Sequence, residues 1–188
     1  MQKNLYIIAG CNGAGKTTAS FTILPEILDC KEFVNADEIA KGLSPFQPEK
    51  VSLEAGRLML QRVKHLLEAN ETFAFETTLA TKSYVSFINE AHKKGNKVTL
   101  LFFWLRTVDL AVERVKIRVQ EGGHNFEEGV IRRRYKNGIK NLFELYMDIV
   151  DELLIFDNSF GIPRLIAEKV NQSPIKIIDK NTFNELKS

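Results

Sequence analysis

Residues Gly10 to Thr17 read Gly-Cys-Asn-Gly-Ala-Gly-Lys-Thr, which is the G-x-x-x-x-G-K-[ST] spacing of a phosphate-cradling loop. Chemistry of this kind needs glycines, because successive backbone N–H groups must turn inward onto phosphate oxygens. The pattern makes Gly10, Asn12, Gly13, Ala14, Gly15, Lys16, Thr17 and Thr18 the candidate nucleotide-binding residues. Lys16 is placed to reach the β- and γ-phosphates, and the Thr17 hydroxyl to ligate Mg²⁺. The cofactors expected are therefore ATP (GTP fits the loop equally) and Mg²⁺. Cys11 lies inside the loop and allows two readings. A thiol beside Lys16 and a helix N-terminus can be acidified and oxidisable, or it is simply a small residue tolerated there.

Acids at strand ends are the next candidates. Asp37 follows the apolar pair Phe33-Val34, Glu76 follows Phe73-Ala74-Phe75, and Asp157 follows Leu153-Leu154-Ile155-Phe156. All three can lie over the same sheet end as Lys16. Asp37 is the candidate catalytic base, since a kinase places a carboxylate about 2.6–3.2 Å from the acceptor hydroxyl. Asn35 can cap the helix that carries it, with Glu38 three residues on. Glu76, followed by Thr77-Thr78, can hold Mg²⁺ or the acceptor; as the plain alternative, Thr77 or Thr78 caps the next helix and Glu76 is a structural ion-pair partner. Asp157-Asn158-Ser159 reads as a turn or a contact to the nucleotide base.

A basic cluster completes the set. Arg114 and Arg118 share a helix face, and of Arg132-Arg133-Arg134 one or two can enter a cleft. Arg118 and Arg133 are the candidate catalytic arginines. Gly122-Gly123-His124-Asn125 between the groups suggests a hinge, so about residues 118–135 are expected to form an arginine-bearing lid. The alternative is a pair of solvated charged helices. His124 alone is a weak candidate, and His65 and His92 read as surface residues.

Elements must position these groups. Leu5 to Ala9 reads as a buried strand before the loop, and a helix starts at Thr17. Val51, Ala55, Leu58, Met59, Val63, Leu66 and Leu67 recur at helical spacing. Helices are expected at about 82–93, 107–120 and 127–149, with Val98 to Leu105 a central strand buried on both faces. Residues Pro163 to Val170 are expected to be helical, and Ile175 to Ile178 a late edge strand. Strands alternating with helices imply an α/β, three-layer fold with a five-stranded parallel sheet and ligands beyond its carboxyl ends. One domain over residues 1–188 is expected.

The composition narrows the class. Lys and Arg total 26 against 24 Asp and Glu, for a net charge of +2, which disfavours nucleic-acid or membrane coating. Two cysteines make no disulfide framework and suit a reducing compartment. No apolar run approaches the length of a bilayer span, and the first strand begins at once, so a cytoplasmic protein is expected.

Taken in order, these motifs resemble the zeta-toxin-like kinases. The residues that carry the resemblance are Ile7 to Thr18, Asn35-Ala36-Asp37-Glu38-Ile39-Ala40 with Leu43-Ser44-Pro45, and Phe75-Glu76-Thr77-Thr78-Leu79. Arg118 to His124, Arg132 to Tyr135 and Asp157-Asn158-Ser159 follow. It spans about residues 4 to 160 and is strongest to the short, single-domain bacterial branch. It implies a nucleoside-kinase-like P-loop fold and an ATP- and Mg²⁺-dependent kinase acting on a sugar hydroxyl of UDP-N-acetylglucosamine. Under it, Asp37 takes the position of the base, and Glu76 and Thr78 contact the acceptor. Arg118 and one of Arg132 to Arg134 lie against the triphosphate. A separate antitoxin polypeptide is the implied partner, since no inhibitory bundle is fused. Two departures stand out. Cys11 replaces a usual proline, and Ala80 stands where the toxins carry an arginine that helps hold the acceptor. Loss of such a charged contact costs about 1.5–3 kcal/mol, and nearby Lys82 cannot copy a bidentate arginine. The acceptor thus stays open between a nucleotide sugar and another nucleoside, antibiotic or sugar. From the residues alone, a nucleotide-dependent switch is a third reading.

Overall fold

The computed structural model describes residues 2–123, 125–171 and 173–188. Its frame is a seven-stranded sheet in the order β2-β3-β1-β4-β5-β6-β7. The strands are β1 (Asn4–Ala9), β2 (Phe33–Val34), β3 (Phe73–Thr77), β4 (Lys97–Trp104), β5 (Glu152–Asp157), β6 (Arg164–Lys169) and β7 (Lys176–Ile177). The first five pair in parallel, as the alternation of strands and helices requires. The last two add antiparallel; β7 lies within the edge strand expected at Ile175 to Ile178, so beyond the five parallel strands only β6 is unexpected.

The error lies at Pro163 to Val170, expected to be helical. Leu165, Ala167 and Glu168 suit a helix locally. Yet without a neighbour β5 would leave a row of backbone groups unpaired at the sheet edge, and Arg164–Lys169 supplies that pairing. Tertiary hydrogen bonding overrides local preference.

Eight α-helices are formed among the described residues: α1 (Lys16–Thr22), α2 (Ala36–Leu43), α3 (Ser52–Glu68), α4 (Tyr84–Lys93), α5 (Val108–Gln120), α6 (Glu128–Asn141), α7 (Met147–Ile149) and α8 (Lys180–Lys187). Side chains alternate across a strand, and the core divides accordingly. Ile7, Phe75, Leu100, Phe102 and Ile155 face α3, α4 and α8, where Met59, Val63, Ile88 and Phe183 meet them. Ile8, Ala74, Leu101 and Phe103 face α1 and α5, packing on Ala14, Ala111, Val112 and Val115. These three layers leave the carboxyl ends of β1, β2 and β3 free to carry a site.

The long helix expected at 127–149 runs from Glu128 to Ile149, but not as one regular α-helix. Residues Leu142–Tyr146 widen into a π-helical turn between α6 and α7. A second such turn, Ile23–Ile27, follows α1 and contains Pro25, which has no N–H to donate to the helical ladder.

Candidate active site

Glu76 organises the centre of the cleft. It pairs in register with Ile8, so it points to the face covered by α1. There its carboxylate lies 3.4 Å from Lys16 Nζ. It accepts hydrogen bonds of 2.8 Å from Thr17 Oγ1 and 2.8 Å from Asn35 Nδ2. Lys16 also donates to the Cys11 carbonyl at 2.9 Å. The lysine side chain is 6% exposed and the carboxylate 10% exposed, so this pair works in a poorly solvated setting where charge interactions are strong.

The loop around Lys16 has the expected shape. Gly15 takes φ 82°, a left-handed conformation that other residues adopt at a cost. A Cβ there would come within 2.4 Å of Asn158 Nδ2. Asn158 in turn donates to the Ala14 carbonyl at 2.8 Å, a tie between the loop after β5 and the phosphate loop. Cys11 is buried, and burial pushes its thiol up to about 11, outweighing the Lys16 charge that favours the thiolate. The acidified-thiol reading is therefore overturned.

Asp37 stands in the first turn of α2. Asn35 caps that helix, accepting from the Asp37 and Glu38 N–H groups. Glu38 does not close a capping box; its side chain pairs with Lys41. One residue thus caps α2 through its oxygen and holds Glu76 through its nitrogen. The Asp37 carboxylate meets Arg118 of α5 at 3.3 Å.

The arginines divide by face. Arg114, Arg118, Arg133 and Arg134 line one cleft of about 1100 Å³ with Lys16, Asp37, Glu76 and Thr78. Arg114 donates to the Ser159 carbonyl at 2.9 Å, and Arg134 to Asn12 Oδ1 at 3.2 Å. Arg134 also stacks its guanidinium 4.9 Å from the Phe126 ring centre. Burial pulls its pKa below the ordinary arginine value, against the pull of Asp37. Arg132 turns outward to Glu128 and Asp109. Arg133 makes no hydrogen bond or ion pair among the described residues. The glycine pair suggested as a hinge closes α5, Gly122 N–H bonding the Val119 carbonyl and Gly123 N–H that of Arg118. His124 lies outside the described residues. His65 is exposed, and His92, also at the surface, meets Asp151 at 3.0 Å.

Asp157 does not join the cleft. It pairs with Trp104, whose side chain belongs to the α3-side core, so Asp157 and Glu76 point to opposite faces. It is 1% exposed and bound by Arg106 Nε at 3.0 Å and by Ser159. The turn reading of Asp157-Asn158-Ser159 holds for its backbone, while Asn158 lines the cleft.

The loop after β3 forms the opposite wall. Thr77 Oγ1 accepts from Leu79 N–H rather than capping α4. Leu79 is buried with φ 58°, a strained conformation that its surroundings must hold. Asn141 donates to its carbonyl at 2.8 Å and Tyr146 Oη to that of Thr81 at 2.6 Å. Ala80 lines the cleft and Lys82 does not. Sequence reading missed Leu53, Gly56, Arg57 and Leu60 of α3, which complete the wall. The available signal was that the apolar residues of α3 exceed what one buried stripe uses.

Among the described residues no cluster of three or more His, Cys, Asp or Glu could hold a metal by itself. A lone hydroxyl and carboxylate, Thr17 and Glu76, suit Mg²⁺, which keeps water and phosphate ligands instead. No helix among those residues is long and apolar enough to cross a membrane.

The arrangement can be compared with known proteins. A model of the Zeta toxin family matches residues 1–181. An uncharacterized protein of Haemophilus influenzae is 29% identical over 137 residues, covering 72% of this chain and 94% of that one. The fold matches a crystal structure of AvrRxo1-ORF1 with ORF2 and ATP, at TM-score 0.79 and 15% identity over all of this chain. This chain spans 64% of that relative's length. It also matches a structure from the PezAT chromosomal toxin–antitoxin system of Streptococcus pneumoniae. There the TM-score is 0.70 and the identity 18%, over 98% of this chain and 78% of that one.

Proposed function

The chain belongs to the Zeta toxin family, and from that premise we propose that it is an ATP-dependent kinase. It transfers the γ-phosphoryl group to a hydroxyl of a small acceptor. The observation that carries this reading is the Asp37 carboxylate in the same cleft as Lys16 and the arginines, held by Arg118 at 3.3 Å.

The nucleotide binds with its β- and γ-phosphates in the loop from Gly10 to Thr18. Lys16 exchanges the Cys11 carbonyl for phosphate oxygens, and Asn12, Gly13, Ala14 and Gly15 shape the cradle. Thr17 and Glu76 would hold Mg²⁺, which supplies charge neutralisation when bound. Incoming phosphate draws Arg118 from Asp37, with Arg114, Arg133 and Arg134 completing the positive wall. Asp37, thereby freed, takes the acceptor proton. The acceptor oxygen bonds to the γ-phosphorus as the bond to the β,γ-bridging oxygen breaks, and ADP leaves with that electron pair. Helices α5 and α6 act as the lid, and Thr78 helps seat the acceptor.

UDP-N-acetylglucosamine is the first acceptor to test. Ala80 favours a second reading, in which another hydroxyl compound is the acceptor, because the arginine that holds the sugar in the toxins is absent. A separate antitoxin polypeptide is the proposed partner. The test is incubation with ATP, Mg²⁺ and UDP-N-acetylglucosamine, with products followed by mass spectrometry. Lys16→Ala is expected to abolish transfer, and Asp37→Asn to lower kcat by about 10²–10⁴-fold. Transfer untouched by Asp37→Asn would reject the base, whereas ATP hydrolysis untouched by Asp37→Asn with no phosphorylated acceptor would favour a nucleotide-dependent switch. ATP binding without a product would send the search to other acceptors.

A further inference from the structure

We propose that Asn35 is a positioning residue for the transfer: its one side-chain amide fixes where Asp37 stands relative to Glu76, Lys16 and Thr17. The inference rests on the kinase reading above, in which Asp37 is the base. Val34 pairs with Phe75, so the next residue, Asn35, lies beside Glu76. Asn35 is 5% exposed. Its Nδ2 donates to Glu76 Oε2 at 2.8 Å, and its Oδ1 accepts from the Asp37 N–H at 2.8 Å and the Glu38 N–H at 3.4 Å. Turned over, the amide would set its oxygen against the Glu76 carboxylate and its own N–H groups against two N–H donors. The bonds to Glu76 and to α2 therefore fix one orientation together.

Other anchors on Asp37 are slight. Strand β2 has two residues. Ala40 is the buried residue of α2, with Ala36 and Ile39 half-buried against the core. The Glu38 side chain is engaged by Lys41 at the surface. The Asp37 carboxylate is held by Arg118 only until phosphate draws that arginine away. From then on Asn35 supplies the hydrogen-bonded link from the first turn of α2 to the Glu76 centre. A base acts within hydrogen-bond reach of the proton it takes, and a displacement of about 1 Å can cost about 10²-fold in rate. A neutral amide suits this task. It donates to a carboxylate and accepts from a helix without disturbing a centre where Lys16 and Arg118 already balance Asp37 and Glu76. A carboxylate at position 35 could cap α2 as well, but it would face Glu76 with like charge.

Substitution separates the two bonds. Asn35→Ser keeps a cap but is too short to reach Glu76. Asn35→Asp keeps the cap and can donate to Glu76 only when its new carboxyl is protonated. The first readout is hydrogen exchange at the Asp37 and Glu38 amides, with and without a non-hydrolysable ATP analogue and Mg²⁺. In wild type the analogue is expected to slow exchange at both, because order at Lys16, Thr17 and Glu76 reaches α2 through Asn35. In Asn35→Ser that slowing is lost. The second readout is transfer to UDP-N-acetylglucosamine. Asn35→Ser is expected to lower kcat about 10- to 100-fold with the analogue's affinity held within about threefold. Asn35→Asp is slow at about pH 8, and its kcat relative to wild type recovers towards about pH 6 as the carboxyl gains its proton. If Asn35→Ser does not fold, Asn35→Asp carries both readouts. Slowing that survives in the variants overturns the proposal, as does its absence in wild type. So does wild-type kcat in Asn35→Ser, a pH-independent ratio for Asn35→Asp, or a loss of analogue affinity equal to the loss of rate. The kinase reading fails separately: slowing that depends on Asn35, with no transfer by wild type to any hydroxyl, would keep the link and reject the reaction.

Discussion

Cys11 and Lys16 meet through the backbone at 2.9 Å, and the environment of the thiol sets its reactivity. Burial pushes the Cys11 thiol up to about 11 and the Cys30 thiol likewise to about 11. At pH 7.5 the Cys11 side chain thus stays a thiol, and the thiol is the unreactive form. The native protein is therefore expected to resist iodoacetamide at pH 7.5 for hours and to react at both cysteines once unfolded in guanidinium, as read by intact mass. Rapid native labelling at Cys11 would contradict the burial argument. Residue types at the site were readable in the sequence, but their directions were not. Glu76 and Asp157 look alike as acids ending apolar runs. Only the pairing register puts one beside Lys16 and the other beside Arg106, and register depends on distant strands. Arg57 was hidden for a related reason: spacing shows which face of α3 is apolar, not what its other face overlooks.

At the scale of elements, the loop after β3 depends on a helix remote in sequence. Gly138 of α6 passes so close that a Cβ would lie 2.7 Å from the Thr78 carbonyl oxygen. Gly138→Ala must therefore push α6 or the loop away. It is expected to cost about 1–3 kcal/mol in denaturant unfolding and to raise the acceptor KM more than that for ATP, because Thr78 and Ala80 line the cleft. An unchanged acceptor KM would show that the loop keeps its place without close packing on α6. The strands β1 to β5 and the helix carrying Asp37 were legible, since apolar runs and an Asn cap are local signals. The π-helical turn that carries Tyr146 to the Thr81 carbonyl has no local signal, and β6 was misread because its partner, not its own sequence, makes it a strand.

The molecule as a whole is tied together at Asp157. Arg106 links it to α8 through Thr182 at 3.2 Å and Glu185 at 3.4 Å, and Phe183 and Leu186 of α8 join the core. Burial alone would raise the Asp157 pKa, but the hydrogen bonds from Ser159 and the Arg106 guanidinium overcome it and hold the carboxyl below its ordinary 3.8. A depressed carboxyl contributes stability above its unfolded pKa and loses it as pH falls through the folded value. Wild type is thus expected to lose stability as pH drops below about 4, and Arg106→Ala to show a shallower decline alongside lower stability at pH 7, both followed by thermal unfolding. Parallel curves would remove Asp157 from the acid response. The sheet this tie secures ends in two-residue strands, Phe33–Val34 on one side and Lys176–Ile177 on the other. Such stubs, one bearing a lysine, give a neighbouring molecule too little ribbon to extend. The protein should therefore resist fibril growth by strand addition in concentrated solution.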